Sequence, residues 1–171
     1  MLKSFEHISS GHGQVLLVPG SSGVGKTALI QELQKPVQDR NGFFVRGKFE
    51  QYQQNVPYLA FRQALVELYR ELQTDDSKQR NRLKVDILQA IGNLGQVLVD
   101  LVPESELFLG TQPPLEDVSP QEARHRLADV FRNFLKVICR PEHPLVLFMD
   151  DWQWADSASI DLLKQIQIGI A

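Results

Sequence analysis

Val15-Leu16-Leu17-Val18-Pro19-Gly20-Ser21-Ser22-Gly23-Val24-Gly25-Lys26-Thr27 is the stretch whose pattern sets the fold class. A continuous apolar run is the mark of a strand buried on both faces, and Pro19-Gly20 ends it. Gly20 to Thr27 then fits G-x-x-x-x-G-K-[ST], the phosphate-binding P-loop. Its glycines let the backbone wind round an anion so that successive N–H groups point inward at the oxygens. A helical pattern follows from about Lys26, with Ala28, Leu29, Ile30 and Leu33 on its buried side. Pro36 should end or bend it. That helix would turn its unpaired N–H groups and positive dipole end toward the same anion. Lys26 would reach the β- and γ-phosphates, and the Thr27 hydroxyl would ligate Mg²⁺.

The rest of the chain extends the strand–helix alternation. Upstream, Leu2, Phe5 and Ile8 suit one face of a short helix, with a turn over Ser9–Gly13. Downstream of the turn Asn41-Gly42, Phe43-Phe44-Val45 opens a second strand ending near Gly47. From Pro57 onward the pattern is helical: Leu59, Phe61, Ala64, Leu65, Leu68, Tyr69 and Leu72, then a stretch over roughly 77–101 that Gly92 and Gly95 interrupt. Residues 103–118 read as a loop holding one helical turn. Ser119-Pro120-Gln121-Glu122 combines an N-cap serine, proline at the first helical position and glutamate three residues after the cap. The helix it opens buries Leu127, Val130, Phe131, Phe134, Leu135 and Ile138. A third apolar strand, Leu145-Val146-Leu147-Phe148-Met149, leads to Asp150-Asp151, and a last helix covers about Ser157 to Ile168. The expected fold is α/β: a three-layer P-loop NTPase with a parallel sheet (strands near 14–18, 43–47 and 145–149) and a long helical insertion between the second and third strands. The expected layout is a single domain over 1–171, with 1–48 carrying the P-loop strand, helix and second strand. Residues 49–140 are the insertion, and 141–171 hold the third strand and following helix.

Carboxylates at the C-terminal end of a parallel strand sit where α/β folds bind ligands. Asp150 would hold Mg²⁺, as a Walker-B acid does, and Asp151 would orient or deprotonate an attacking water. With the P-loop upstream, these residues resemble the signal-transduction ATPases with numerous domains. They are closest to the AAA-type ATPase module of large bacterial Ser/Thr-kinase and histidine-kinase signalling proteins. Asp150-Asp151-Trp152-Gln153-Trp154-Ala155-Asp156 carries most of the resemblance, and Gly47-Lys48-Phe49-Glu50-Gln51 and Pro57-Tyr58 add to it. The resemblance implies ATP and Mg²⁺ as cofactors, slow hydrolysis acting as a nucleotide switch, nucleotide-dependent self-association, and kinase or sensor domains of a larger protein as partners. It also implies a domain incomplete at both ends. An upstream Gly-Arg-x-x-Glu-like element is absent, and so are the later strands and lid, one of which would lie between the first and third strands. The alternatives are a non-catalytic nucleotide-binding interaction module or remnant, and a small P-loop kinase, which the tandem aspartates disfavour.

Composition sets the outer limits. The chain has 171 residues, 43% hydrophobic and 23% charged, with a formal net charge of −3. No broad basic face therefore points to nucleic acid or an anionic membrane. One cysteine, Cys139, excludes an internal disulfide framework, and its place after Leu135 predicts a buried thiol. The expected location is cytoplasmic, since neither a signal peptide nor a spanning run is evident. His7, His12, His125 and His143 lack metal-ligand spacing. Arg124, Arg126, Arg132 and Arg140 include candidate phosphate contacts without one standing out. Asp39-Arg40-Asn41-Gly42 precedes a strand instead of following one, which disfavours GTP. Trp152 and Trp154 are expected to pack the turn after the third strand, and Asp156 to cap the last helix.

Overall fold

The computed structural model describes residues 14–20, 24–74, 78–140 and 143–167. Helices α1 (Lys26–Gln31) and α2 (Gln34–Gln38) lead into strand β1 (Phe43–Lys48). A turn of 3₁₀ helix at Gln51–Gln53 precedes α3 (Leu59–Thr74) and α4 (Lys78–Ile91). Then come α5 (Gly95–Leu101), α6 (Glu106–Leu109), an irregular stretch, and α7 (Pro120–Ile138). Strand β2 (Leu145–Asp150) and helix α8 (Ser157–Gln167) follow. The fold is α/β: β1 and β2 pair in parallel, in register from Phe43 with Leu145 to Lys48 with Asp150, and most of the other described residues are helical. A parallel pair needs a crossover between its strands, and the helices from α3 to α7 supply it.

Side-chain alternation sends the two faces of this pair to different clusters. Phe44, with Val146 and Phe148, packs against Ile30, Leu33 and Val37 of the α1–α2 segment. On the opposite face Val45, with Phe43, Leu145, Leu147 and Met149, joins the main core. That core is built on Phe61, Leu65, Leu68 and Tyr69 of α3 and Phe131 and Phe134 of α7, all almost wholly buried. Phe131 meets Phe61 edge to face, with ring centroids 5.7 Å apart. Burying each such side chain contributes about 1.5–3 kcal/mol.

Helix α3 approaches β1 closely enough to need a glycine. A Cβ on Gly47 would collide with the Ala60 carbonyl oxygen, and would lie 2.7 Å from the Ala60 carbonyl carbon and 2.8 Å from Met149 Sδ. The same helix closes the outer edge of β1. The N–H groups of Phe43 and Phe49 donate to Pro144 and Asp150 (2.8 and 3.1 Å), so those of Arg46 and Lys48 point the other way. Arg46 N–H donates to Glu67 Oε2 at 2.6 Å and Lys48 N–H to Gln63 Oε1 at 2.8 Å. Gln63 and Glu67 are four residues apart on α3, one turn, which matches the two-residue step along the strand.

Several expectations need correction. Residues 14–20 form no strand: Val15, Leu16 and Leu17 are 44%, 47% and 72% exposed, and the partly buried Val18 packs on the cluster of Ile30 and Leu33. An extended backbone needs a ladder partner. The outer edge of β1 is taken by side chains, and among the described residues no third strand lies on β2. Pro36 does interrupt the first helix as expected: the break falls at Glu32-Leu33, because a proline ring clashes with the carbonyl four residues back. Gly92, at φ 57°, does interrupt the second helical stretch, whereas Gly95 starts α5 in helical geometry. Cys139 is exposed as a residue, since α7 ends at Ile138 and its extended backbone leaves the helix's apolar stripe, but its thiol is tucked in as expected, and burial pushes it up to about 12. The serine cap is present: Ser119 Oγ accepts from Glu122 N–H at 3.3 Å. Among the described residues no helix is long and apolar enough to cross a membrane. The expected opening helix around Leu2–Ile8 lies outside the described residues.

The Gly47 contact gives a stability test. Gly47→Ala is expected to cost about 3 kcal/mol, the upper part of the overpacking range, read as a lower urea midpoint. Gly92 has open space around it but a left-handed φ, so Gly92→Ala should cost only about 1 kcal/mol. Equal midpoints for the two variants would contradict the close approach of α3 to β1.

Candidate functional site

Gly20 and Lys26 stand at the two ends of the glycine-rich loop, and the Lys26 ammonium donates to the Gly20 carbonyl oxygen at 2.7 Å. Gly25 turns the chain into α1 with φ 89° and ψ 15°. This is the left-handed conformation that glycine adopts without steric cost. Its carbonyl accepts the first helical bond, from Leu29 N–H at 3.0 Å. Val24 and Thr27 are exposed, and Lys26 is half-buried. Ser21, Ser22 and Gly23 lie outside the described residues.

Strand register decides where the acidic residues point. Phe44 faces α1 and α2, so Arg46 and Lys48 lie on that face too, and Arg46 donates to Gln34 Oε1 of α2 at 2.9 Å. Phe44 pairs with Val146 and Lys48 with Asp150, which places Asp150 on the same face and beside Lys48. Asp150 therefore projects from the side of the sheet covered by the helix that begins at Lys26 and Thr27. Its Oδ1 accepts from the N–H of Asp151 at 2.9 Å.

Asp151 leaves the strand in a left-handed conformation, φ 57° and ψ 43°, and starts a 3₁₀ turn over Trp152–Trp154. Its carbonyl accepts from Trp154 N–H at 2.9 Å. Its Oδ1 accepts from Gln153 Nε2 at 3.0 Å, and Lys48 Nζ lies 3.5 Å from its Oδ2. Trp152 packs on Phe49, ring centroids 4.8 Å apart, which is the packing role expected of it. Asp156, almost fully buried, caps α8: Oδ1 accepts from Ser159 N–H at 2.8 Å and Oδ2 from Ser159 Oγ at 2.6 Å. Tyr58, with φ 62°, reaches the same corner. Burial pushes its phenol above the usual value; Arg124 opposes that shift, while Asp156 and Asp161 add to it.

Lys26, Thr27 and Asp150 are thus on one side of the sheet, and Asp151 stands at its C-terminal end. The arginines are mostly engaged elsewhere. Arg126 donates to the Glu116 carbonyl, Arg132 to Asp129 and to the Gln165 carbonyl of α8, and Arg140 to Asp86 of α4. The sequence pattern assigns no role to Lys48 or Gln153. No spacing rule points to them, because only the β1–β2 register and the turn after β2 bring them to Asp151.

Comparison with known proteins gives the chain a family. The AAA ATPase domain family matches residues 1–167. Over 164 residues, 96% of this chain, the sequence is 32% identical to the hybrid signal transduction histidine kinase G of Dictyostelium discoideum. The chain spans about 5% of that kinase's length. No solved structure matches.

The Asp156 cap yields a prediction of its own. Asp156→Ala removes both bonds to Ser159 and should cost about 1–2 kcal/mol. In a chain of this size that lowers the thermal midpoint by about 3–6 °C. An unchanged midpoint would show that Asp156 does not hold the start of α8.

Proposed function

Because the chain belongs to the AAA ATPase domain family, we propose that it binds Mg-ATP and hydrolyses it slowly, as the nucleotide switch of a larger signalling protein. One observation carries this reading: Asp150 projects from the sheet face covered by the helix that opens at Lys26 and Thr27. A P-loop and a strand-end carboxylate must share a face if they are to serve one phosphate group and one cation. The left-handed Gly25 and the Lys26 bond to Gly20 fit a loop that bends round an anion.

In this reading the backbone from Gly20 through Ser21, Ser22, Gly23, Val24 and Gly25 to Lys26 and Thr27 wraps the phosphates. Lys26 contacts the β- and γ-phosphates, and Thr27 and Asp150 hold the Mg²⁺. When bound, that ion offsets the negative charge on the phosphate oxygens. Asp151 orients or deprotonates the attacking water. Helices on both faces of the two-stranded sheet support the reading of a three-layer P-loop arrangement. Similarity to a small part of a hybrid histidine kinase supports placement beside kinase or sensor domains, and the motif resemblance supports the class of signal-transduction ATPases with numerous domains.

Titration with a fluorescent ATP analogue tests the site. Binding is expected with Mg²⁺ and should fall at least about tenfold in Lys26→Ala, the loss of a charge-assisted phosphate contact. Equal binding by Lys26→Ala would end this assignment. Phosphate release should fall about a hundredfold in Asp151→Asn, the lower range for losing a general base. Binding with equal release by wild type and Asp151→Asn would leave a nucleotide-binding module without the proposed catalytic role.

A further inference from the structure

Lys48 lies in the Gly47–Gln51 stretch, to which the proposed reaction assigns no task, yet it touches the residue given the task of handling water. Both carboxylate oxygens of Asp151 have their own partner, Lys48 Nζ at 3.5 Å from Oδ2 and Gln153 Nε2 donating to Oδ1 at 3.0 Å. The backbone is fixed as well, with Asp151 N–H on Asp150 Oδ1 and Asp151 C=O accepting from Trp154 N–H, each at 2.9 Å. Asp151 also holds a positive φ of 57°. Such a conformation is uncommon for a non-glycine residue and persists when the surroundings over-determine it.

Lys48 is itself held. Its N–H donates to Gln63 Oε1, and its register places it beside Asp150. The next residue, Phe49, packs its ring at a tilt against Trp152 while its N–H donates to the Asp150 carbonyl at 3.1 Å. Two consecutive residues at the end of β1 therefore grip two consecutive residues beyond β2: Lys48 holds Asp151, and Phe49 holds Trp152. The Lys48 side chain is 60% exposed and that of Asp151 35%. As a source of stability an ion pair so open to water is minor. What it supplies is direction.

We propose that Lys48 is a positioning residue for Asp151: its ammonium, together with the Gln153 amide, fixes the carboxylate in the orientation that serves the attacking water. This inference rests on the role of Asp151 given above. Lys48 acts through Asp151, so its removal should slow turnover and leave nucleotide affinity nearly unchanged.

A double-mutant cycle on the whole chain tests it, using Lys48→Met, Asp151→Asn and the pair, with Lys48→Arg as the conservative variant. Phosphate release at saturating Mg-ATP and affinity for the fluorescent ATP analogue are measured for each. Amide hydrogen exchange of residues 151–155 is followed without nucleotide. Lys48→Met is expected to lower kcat about tenfold, within the loss that misplacing a reacting group by about 1 Å can cause. Affinity should change less than about threefold, and the double variant should fall no further than Asp151→Asn alone, as coupled residues do. Exchange over 151–155 should quicken in Lys48→Met and not in Lys48→Arg, which should also recover most of the rate. Additive losses in the cycle, weakened affinity as the main effect, or unchanged exchange would each overturn the role of Lys48. Failure of the underlying reading looks different: wild type would release phosphate no faster than Lys26→Ala, and the positioning role would fall with it.

Discussion

The close approach of α3 to β1 is the constraint on which the rest of the structure depends. Two short parallel strands are not stable alone in water, and here one helix gives β1 both a packed face and a finished edge. Gly47 removes the Cβ that would hold α3 away, and Gln63 and Glu67 then reach the outward N–H groups of Lys48 and Arg46. Side-chain acceptors take the place of a neighbouring strand, so the edge needs no further ladder. The pairing of β1 with β2 can then carry clusters on both of its faces, with α1 and α2 on one side and α3 and α7 on the other.

The placement of the candidate site follows from that pairing. In a strand a slip of one residue turns every side chain to the opposite face. The observed register keeps Phe44, Val146 and Phe148 in the small cluster with Ile30, Leu33 and Val37, and it therefore keeps Lys48 and Asp150 on that same side. Apolar packing thus sets the orientation of charged groups that contribute almost nothing to it. Beyond β2 the constraint passes to local bonds, as the left-handed Asp151 starts the turn that brings Trp152 onto Phe49 and Asp156 to the head of α8.

What can be read from the residues divides along the same line. Both paired strands are legible within a residue, because Phe43-Phe44-Val45 and Leu145–Met149 are apolar runs bounded by turn or acidic residues. The start of α7 is legible in Ser119-Pro120-Gln121-Glu122, a local capping pattern that folds as written, and Asp156 caps α8 as expected. Val15–Val18 has the same apolar composition as the strands yet forms none, since strand formation depends on a partner edge and composition does not report one. Cys139 follows the helical period one step past the helix end. The carboxylates Asp150 and Asp151 are visible in the motif, whereas Lys48 and Gln153 are not, because their contacts with Asp151 are created by strand register and turn geometry.

The central claim is that the glycine-rich loop and the end of β2 form one nucleotide site. Nitrogen-15 NMR of the whole chain titrated with Mg-ADP tests it most directly. The account predicts shifts in the amides of Gly20, Val24–Thr27 and Met149–Asp151, with α4, α5 and α6 unmoved. Shifts confined to the helices from α4 to α6, or shifts in the loop with none at the end of β2, would contradict it.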